Sequence, residues 1–509
     1  MMFFAVLRLL RYFFCGLYLS GCLVTSTLAQ TVGYTLSEHA NTIQFQDKKS
    51  LETFYSSWKN TAANKFSILY IGDSHLQTEV LPGRVRKHLQ KELGDGGIGL
   101  MRSFSTVKTY SPINYYSTRH DGEWTGRRSF ENKTNTNLGV GGMTCRTRQE
   151  RARIVFDFAY RPPTSHTKLR IYCQKTPNAF DLVLRIDNQA EIPITTYQSP
   201  ELPYIEVIIP PINDQISLET VRHYPEQDEF EFYQLDLQTM GDSGVVLHNA
   251  GVGGARFYSV LQENLLAKQI NYFQPDLVVV DLGTNDYLYD DIIQPELEGE
   301  IRQVVNIIKS NVPSSSIILT TAQDMSWKGT NRRSGPRFCD MIYRVAREMN
   351  CGVWDWFQVS GGQGTIRNWY INGLAQKDQI HLSPNGYELK GDLLYKALKG
   401  TIDWIDQHPN DQQHLLPVFM SYTPAPMPAT IDSTGTVAST QTIPNTTPIA
   451  ARPKPTPAPP KPTPIYYTVK KGDSLSSIAR KYGITVQRIQ QLNHHKGDII
   501  QLGERLRVK

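Results

Sequence analysis

The apolar residues of this chain keep two different periods, and the points where the period changes divide the 509 residues into segments. Residues 66–72 form a nearly continuous apolar run of strand length that ends on Gly72, the pattern of a strand buried on both faces. From about Thr78 to Leu93 the apolar positions Val80, Leu81, Val85, Leu89 and Leu93 fall at helical spacing, and Gly94-Asp95-Gly96-Gly97 ends the helix. The alternation resumes after residue 243. It predicts strand Val245–His248, a helix near Tyr258–Phe273, strand Leu277–Leu282, helix Leu297–Ser310, strand Ser316–Thr321, helix Arg337–Met349, strand Gly352–Trp356 and helix Gly386–Gln407. Strands alternating with helices imply a parallel sheet covered on both faces, with ligands bound beyond the carboxyl ends of its strands.

Residues 96–242 have another texture. Short β-rich runs at 153–158, 168–172, 182–186 and 204–209 are separated by turns, and helical periodicity is scarce, so an inserted β-sandwich is predicted. Residues 409–465 are rich in Pro, Thr, Ser and Ala, a composition that cannot bury a core and favours an extended linker. Residues 466–509 become compact again as strand, helix, helix, strand. At the other end, Arg8 and Arg11 precede the apolar run Tyr12–Val24, the pattern of a secretory signal. Two exits are legible. Leu19-Ser20-Gly21-Cys22 would place a lipid anchor on Cys22; Thr27-Leu28-Ala29 before Gln30 would give ordinary cleavage. The resulting division is signal peptide 1–29, first part of the α/β domain 30–95, inserted β-sandwich domain 96–242, second part 243–408, linker 409–465 and C-terminal module 466–509. The expected location is the periplasm or cell envelope, as a soluble protein or a lipoprotein.

Composition narrows the function. A net charge of +5 over this length is a mild bias and excludes a nucleic-acid footprint. Of the six cysteines, Cys15 and Cys22 belong to the signal; Cys145, Cys173, Cys339 and Cys351 lack metal-ligand spacing and stay open between two local disulfides and free buried thiols. No metal or cofactor is expected.

The chemistry lies just past the strand ends. Ser74 follows the first strand as Gly72-Asp73-Ser74-His75. A serine hydroxyl attacks only when a base takes its proton, and His381 is the candidate base, with Asp378 fixing its tautomer. The oxyanion of a tetrahedral intermediate needs donors already in place; the N–H groups of Ser74 and Gly254 and the side-chain amide of Asn285 are the candidates. His75 and His248 are assigned structural or substrate-contacting roles. Trp124, Tyr115 and Tyr116 are candidates for stacking on sugar rings, with core packing as the alternative.

Four blocks in this order, Gly72-Asp73-Ser74, Asn249 to Gly254, Gly283-Thr284-Asn285-Asp286 and Asp378-Gln379-Ile380-His381, resemble the SGNH (GDSL-type) hydrolases. The resemblance covers residues ~66–94 and ~243–405. It implies a flavodoxin-like three-layer α/β fold and ester hydrolysis by Ser74, His381 and Asp378, with Gly254 and Asn285 as oxyanion donors. His75 replaces the leucine common after the serine, and within the glycine block Gly251 and Gly253 compete with Gly254. An SGNH domain with a β-rich insert is similar in layout to bacterial peptidoglycan O-acetylesterases. Residues Tyr467 to Gly483, Asn493 and Leu502 to Leu506 resemble a LysM domain. That resemblance implies binding of N-acetylglucosamine-containing glycan, peptidoglycan above all, through Gly472, Asp473, Ser474, Leu475, Asn493 and Ile500. The reading that unites both parts is an exported esterase removing O-acetyl groups from a cell-wall polysaccharide. An O-acetyltransferase, a dietary-glycan acetylesterase or lipase, and a catalytically inert peptidoglycan-binding protein remain open.

Overall fold

The structure is a computed structural model; it describes residues 36–112, 114–132, 136–187, 189–415, 466–470, 473–482, 486–493 and 504–508. The predicted signal, Cys22 and nearly all of the linker lie outside the described residues. The chain divides into two compact units, the second comprising Pro428–Lys509.

In the first unit, strand β1 (Phe66–Gly72) is flanked by two parallel neighbours, β4 (Val245–Gly251) and β5 (Leu277–Asp281). Beyond β5 come β6 (Ser316–Thr320) and β7 (Gly352–Trp354), also parallel. Beyond β4 comes β2 (Asp95–Met101), parallel to it, followed by the antiparallel β3 (Phe230–Thr239). The period-2 alternation of each strand feeds two cores. Ile68, Tyr70 and Val279 face one, which holds Phe54 and Trp58 of helix Glu52–Lys59, Leu81 and Val85 of helix Val80–Leu93, and Leu394 and Leu398 of helix Pro384–Gln407. Leu69, Ile71, Val278 and Val280 face the other, against Val304, Val305 and Ile308 of helix Leu297–Asn311 and Ile342 and Val345 of helix Gly335–Glu348. The layers are therefore helix, sheet, helix.

Residues 96–242 contribute the predicted sandwich, but its first layer is part of the same sheet. Strands Met143–Thr147 and His166–Cys173 pair with β3, extending the sheet to twelve strands. A second sheet of five strands, centred on Asp181–Ile186, Gln215–Val221 and Arg153–Phe158, packs against it through Phe156, Leu184, Ile216 and Leu218. These residues share one core with the second face of the parallel strands.

Several element boundaries differ from the periodicity. The Asp95-Gly96-Gly97 run opens strand β2. Its glycines are there for close strand contact: a Cβ on Gly97 would stand 2.5 Å from Gln238 Cα, and the Gly97 backbone is left-handed at φ 132°. The helix expected from about Thr78 begins at Val80 because Glu79 turns the chain at φ 64° after a short helical turn, Ser74–Gln77. The helix expected near 258–273 is two, Phe257–Leu261 and Leu266–Phe273. The four described cysteines are free and buried. Cys145 and Cys173 both pair with Phe232, from opposite sides of β3. They are thus two strand spacings apart, about 9–10 Å, beyond the ~7 Å reach of a disulfide.

The C-terminal unit is a two-stranded antiparallel ribbon, Tyr466–Thr468 with Arg505–Arg507, and two helices, Leu475–Tyr482 and Val486–Asn493. Val469, Leu475, Ile478, Ala479, Ile489, Leu506 and Val508 make its core.

One buried ion pair ties the last helix of the first unit to the sheet. Lys390 Nζ donates to Asp281 Oδ2 at 2.8 Å; Tyr70 Oη donates to the same oxygen at 3.0 Å and Thr320 Oγ1 to Asp281 Oδ1 at 2.8 Å. Removing one partner strands a charge in the interior. Lys390→Met should lower the unfolding free energy of this unit by about 3–5 kcal/mol, read as a fall in its urea midpoint. Glu348→Ala, at the exposed pair with Arg302, should change it by less than ~1 kcal/mol.

Candidate active site

Register decides what meets at the sheet rim. Gly72, the last residue of β1, pairs with both Gly251 and Asp281, so the three strands end level. Asp73-Ser74, Val252 to Gly254 and Gly283 to Asn285 therefore leave the sheet side by side. A Cβ on Gly72 would lie 2.5 Å from Leu76 Cδ1 and 2.7 Å from Asp281 O, so only glycine lets the chain turn this tightly under its neighbour. Asp73 caps the turn that follows, its Oδ1 accepting from His75 N at 2.9 Å.

Ser74 Oγ lies 2.9 Å from His381 Nε2, across 307 positions of sequence. His381 Nδ1 lies 2.6 Å from Asp378 Oδ2. Asp378 Oδ1 accepts from the N–H groups of Ile380 and His381, each at 3.0 Å, and Gln379 at φ 55° lets the loop close around it. A carboxylate only accepts, so the proton sits on Nδ1 and Nε2 is left to accept the serine proton. Burial works against charge on His381, but the Asp378 hydrogen bond and the Asp378 and Asp73 charges outweigh it, raising its pKa above the usual histidine value. Burial acts to raise Asp378; the bonds from His381, Ile380 and His381 N–H prevail and hold it below the usual carboxylate value.

The three N–H groups of the glycine loop are placed differently. Gly251 N donates to Asn249 Oδ1 at 2.9 Å and Gly253 N to Gln77 Oε1 at 2.6 Å. Both are spent within the protein. Gly254, left-handed at φ 90°, lines the cleft in front of Ser74. Asn285 Nδ2 uses one hydrogen on Ala255 O at 2.9 Å and has a second to offer. Ser74, Gly254, Asn285, Asp378 and His381 all line one open cleft of ≈ 580 Å³.

Other residues carried little or no sequence signal. Gln77 holds the glycine loop and also donates to Thr109 Oγ1 and Tyr110 O at 3.1 and 3.0 Å. Tyr110, Tyr289, Trp327 and Tyr387 line the cleft. The aromatic candidates of the sequence do not: Tyr116 is buried with its Oη accepting from Arg102 N, Trp124 donates to Asp121 O, and Tyr115 packs on the core. His75 is buried, its Nδ1 3.0 Å from Tyr387 Oη, and burial, then the charges of His381 and Lys390, hold its pKa well below the usual value. His248 is enclosed within the sheet, where burial pushes its pKa down to about 4.

Of the contact residues expected in the C-terminal unit, Leu475, Asp473 and Asn493 serve the fold. Leu475 is in the core. Asp473 Oδ2 accepts from Lys470 N and Tyr467 Oη, each at 2.8 Å. Asn493 bridges to the last strand, donating to Arg507 O at 2.8 Å and accepting from Arg507 N at 2.7 Å. The Ser474 side chain is exposed; Gly472 and Ile500 lie outside the described residues.

The profile of the GDSL-like Lipase/Acylhydrolase family matches residues 226–389, and that of the LysM domain matches 467–509. The chain carries a GDSL-like acylhydrolase domain and a LysM domain. A solved structure of a peptidoglycan O-acetylesterase superposes with TM-score 0.59 at 21% identity, covering 71% of this chain and 99% of that one. At that identity the likeness establishes the fold, an SGNH hydrolase fold on a mixed α/β sheet. The LysM domain is similar to the LysM regions of cell-wall enzymes. The N-acetylmuramoyl-L-alanine amidase sle1 of Staphylococcus epidermidis is 60% identical over 42 residues, 8% of this chain and 13% of the relative. The probable peptidoglycan endopeptidase LytE of Bacillus subtilis is 54% identical over 43 residues, again 8% and 13%. The chain spans only these small fractions of the curated relatives' length. Among the described residues no helix is long and apolar enough to cross a membrane, and no group of three or more His, Cys, Asp or Glu gathers as a metal site.

The acylhydrolase geometry sets a pH dependence. If Ser74 gives its proton to a neutral His381, ester hydrolysis should fall on acidification through an apparent pKa above the ordinary histidine value of ~6.5. Asp378→Asn removes the charge that raises it. The acidic limb of a kcat/KM–pH profile should move to lower pH, with the plateau reduced by about 10⁴.

Proposed function

We propose that this protein is an exported serine esterase that removes O-acetyl groups from a cell-wall glycan, peptidoglycan first, with Ser74, His381 and Asp378 as its triad. The observation that carries this reading is the hydrogen-bonded chain Ser74–His381–Asp378, at 2.9 and 2.6 Å, opening onto a cleft shared with Gly254 and Asn285. Ser74 Oγ attacks the acetyl carbonyl as His381 takes its proton. The oxyanion is received by the N–H groups of Ser74 and Gly254 and the Asn285 amide. The sugar alkoxide leaves with the proton from His381, and water activated by His381 then frees acetate from Ser74. The His381 side chain is one-third exposed (33%), which gives water a route to the acyl group and favours hydrolysis over transfer to a second sugar.

The LysM domain supports the substrate class, since it resembles the LysM regions of autolysins. A signal at residues 1–29 would export the chain; cleavage before Cys22 would instead tether it to a membrane through lipid. A linker at 409–465 would let the acylhydrolase search the polymer that the LysM domain holds, raising local substrate concentration without new contacts in the cleft.

Incubated with O-acetylated sacculi, the purified protein should release acetate, and Ser74→Ala should release none. Asn285→Ala should retain the fold and lose about 10²–10³ in kcat. Equal acetate release by wild type and Ser74→Ala would overturn the assignment.

A further inference from the structure

The mouth of the cleft carries an aromatic corner that the four sequence blocks do not contain. Tyr289 and Trp327 line the cleft with their rings edge to face, centroids 5.0 Å apart at 89°. Trp327 is half-buried and packs against the core; Tyr289 is 50% exposed. Each ring is fastened to a segment that bears on the chemistry. Tyr289 lies four residues after Asn285, just beyond the helical turn Thr284–Tyr287. Trp327 belongs to the hairpin Ser326–Trp327 with Thr330–Asn331, and Ser326 N donates to the carbonyl of Gln379, inside the Asp378–His381 loop, at 2.9 Å. Asn331 Nδ2 donates to both Asp324 carboxylate oxygens at 2.9 and 3.0 Å, and Arg332 Nη2 donates to Trp327 O at 3.3 Å, so the hairpin is held at both ends.

The chemistry of this corner selects a ligand class. A fatty acyl chain is best received by an enclosed apolar tunnel. Here two rings stand in an open cleft fringed by cations, with Arg256 6.0 Å from the Tyr289 centroid and Lys328 Nζ 5.6 Å from that of Trp327. The C–H face of a pyranose packs on an aromatic ring, and its peripheral hydroxyl or carboxylate oxygens need donors around the edge. We propose that Tyr289 and Trp327 form a sugar-ring subsite that holds the acetylated residue of a polysaccharide, or its neighbour, while Ser74 attacks. The proposal rests on the esterase reading above. It makes the two aromatics specificity residues: they raise activity on polymer esters relative to small esters of the same acyl group.

The test compares kcat/KM on soluble O-acetylated peptidoglycan fragments with that on 4-nitrophenyl acetate, for wild type, Trp327→Ala, Trp327→Phe and Tyr289→Ala. Loss of one ring contact is worth about 0.5–1.5 kcal/mol. The ratio of glycan to small-ester activity should therefore fall about three- to ten-fold in each alanine variant, through KM for the glycan, and recover in Trp327→Phe. An unchanged ratio, or parallel loss on both substrates in Tyr289→Ala, overturns the subsite. Tyr289 lies outside the cores, so that variant decides the matter if Trp327→Ala does not fold. A wild type that hydrolyses neither ester overturns the esterase reading instead. The subsite is then judged by calorimetric binding of the same fragments to Ser74→Ala: a three-fold or greater weakening on adding Tyr289→Ala supports it, and equal affinity overturns it.

Discussion

The structure depends on a register. Gly72 stands opposite Gly251 on one side and Asp281 on the other, so three parallel strands stop at one line and their loops emerge together. A shift of one residue in any of them would turn its side chains to the other face and carry its loop out of reach. The register is held by both apolar cores, because each strand is buried on each face, and by the Lys390–Asp281 pair, which fixes the last residue of β5 against the helix that follows His381. The segment bearing His381 thus reaches the rim by a route independent of the strands that deliver Ser74 and Asn285.

The electrostatics of the site rest on unequal solvation of several acids and histidines. Asp378 is partly exposed, receives three hydrogen bonds and stays ionised. Asp73, one residue before Ser74, is fully enclosed, and burial pushes its pKa up to about 7 despite the bond from His75 N. His381 is raised and His75 is lowered although their ring centroids are only 5.5 Å apart. One imidazole is thereby easier to protonate, and the other is kept neutral beside it as a hydrogen-bond partner for Tyr387.

The parts legible in the sequence were those governed by local periodicity or by side chains whose chemistry is distinctive. The parallel strands and their long helices follow from apolar runs and helical spacing, and the candidates Ser74 and Asn285 stand in blocks at strand ends, Asp378 and His381 in a block on a late loop. Three kinds of feature escaped. Gly96 and Gly97 read as part of a helix stop because close strand contact leaves no mark other than glycine itself. The fusion of the insert into the central sheet is a non-local pairing, β2 with β3 across more than a hundred residues, which no window of sequence can contain. Trp327 and Tyr289 look like any aromatic residue in a polar loop; only the fold brings them to the cleft. Of the three glycine candidates, Gly251 and Gly253 have their N–H groups bonded within the protein, a difference that sequence spacing alone does not carry.

The central claim is that Ser74 acts as a nucleophile because His381 is delivered to its hydroxyl. Brief exposure to an acetyl ester, acid quenching and peptide mass mapping test this most directly. One acetyl group is expected on the peptide containing Ser74 in the wild type and none in His381→Ala. Acetylation at another residue, or turnover with no acyl group ever found on Ser74, would contradict it.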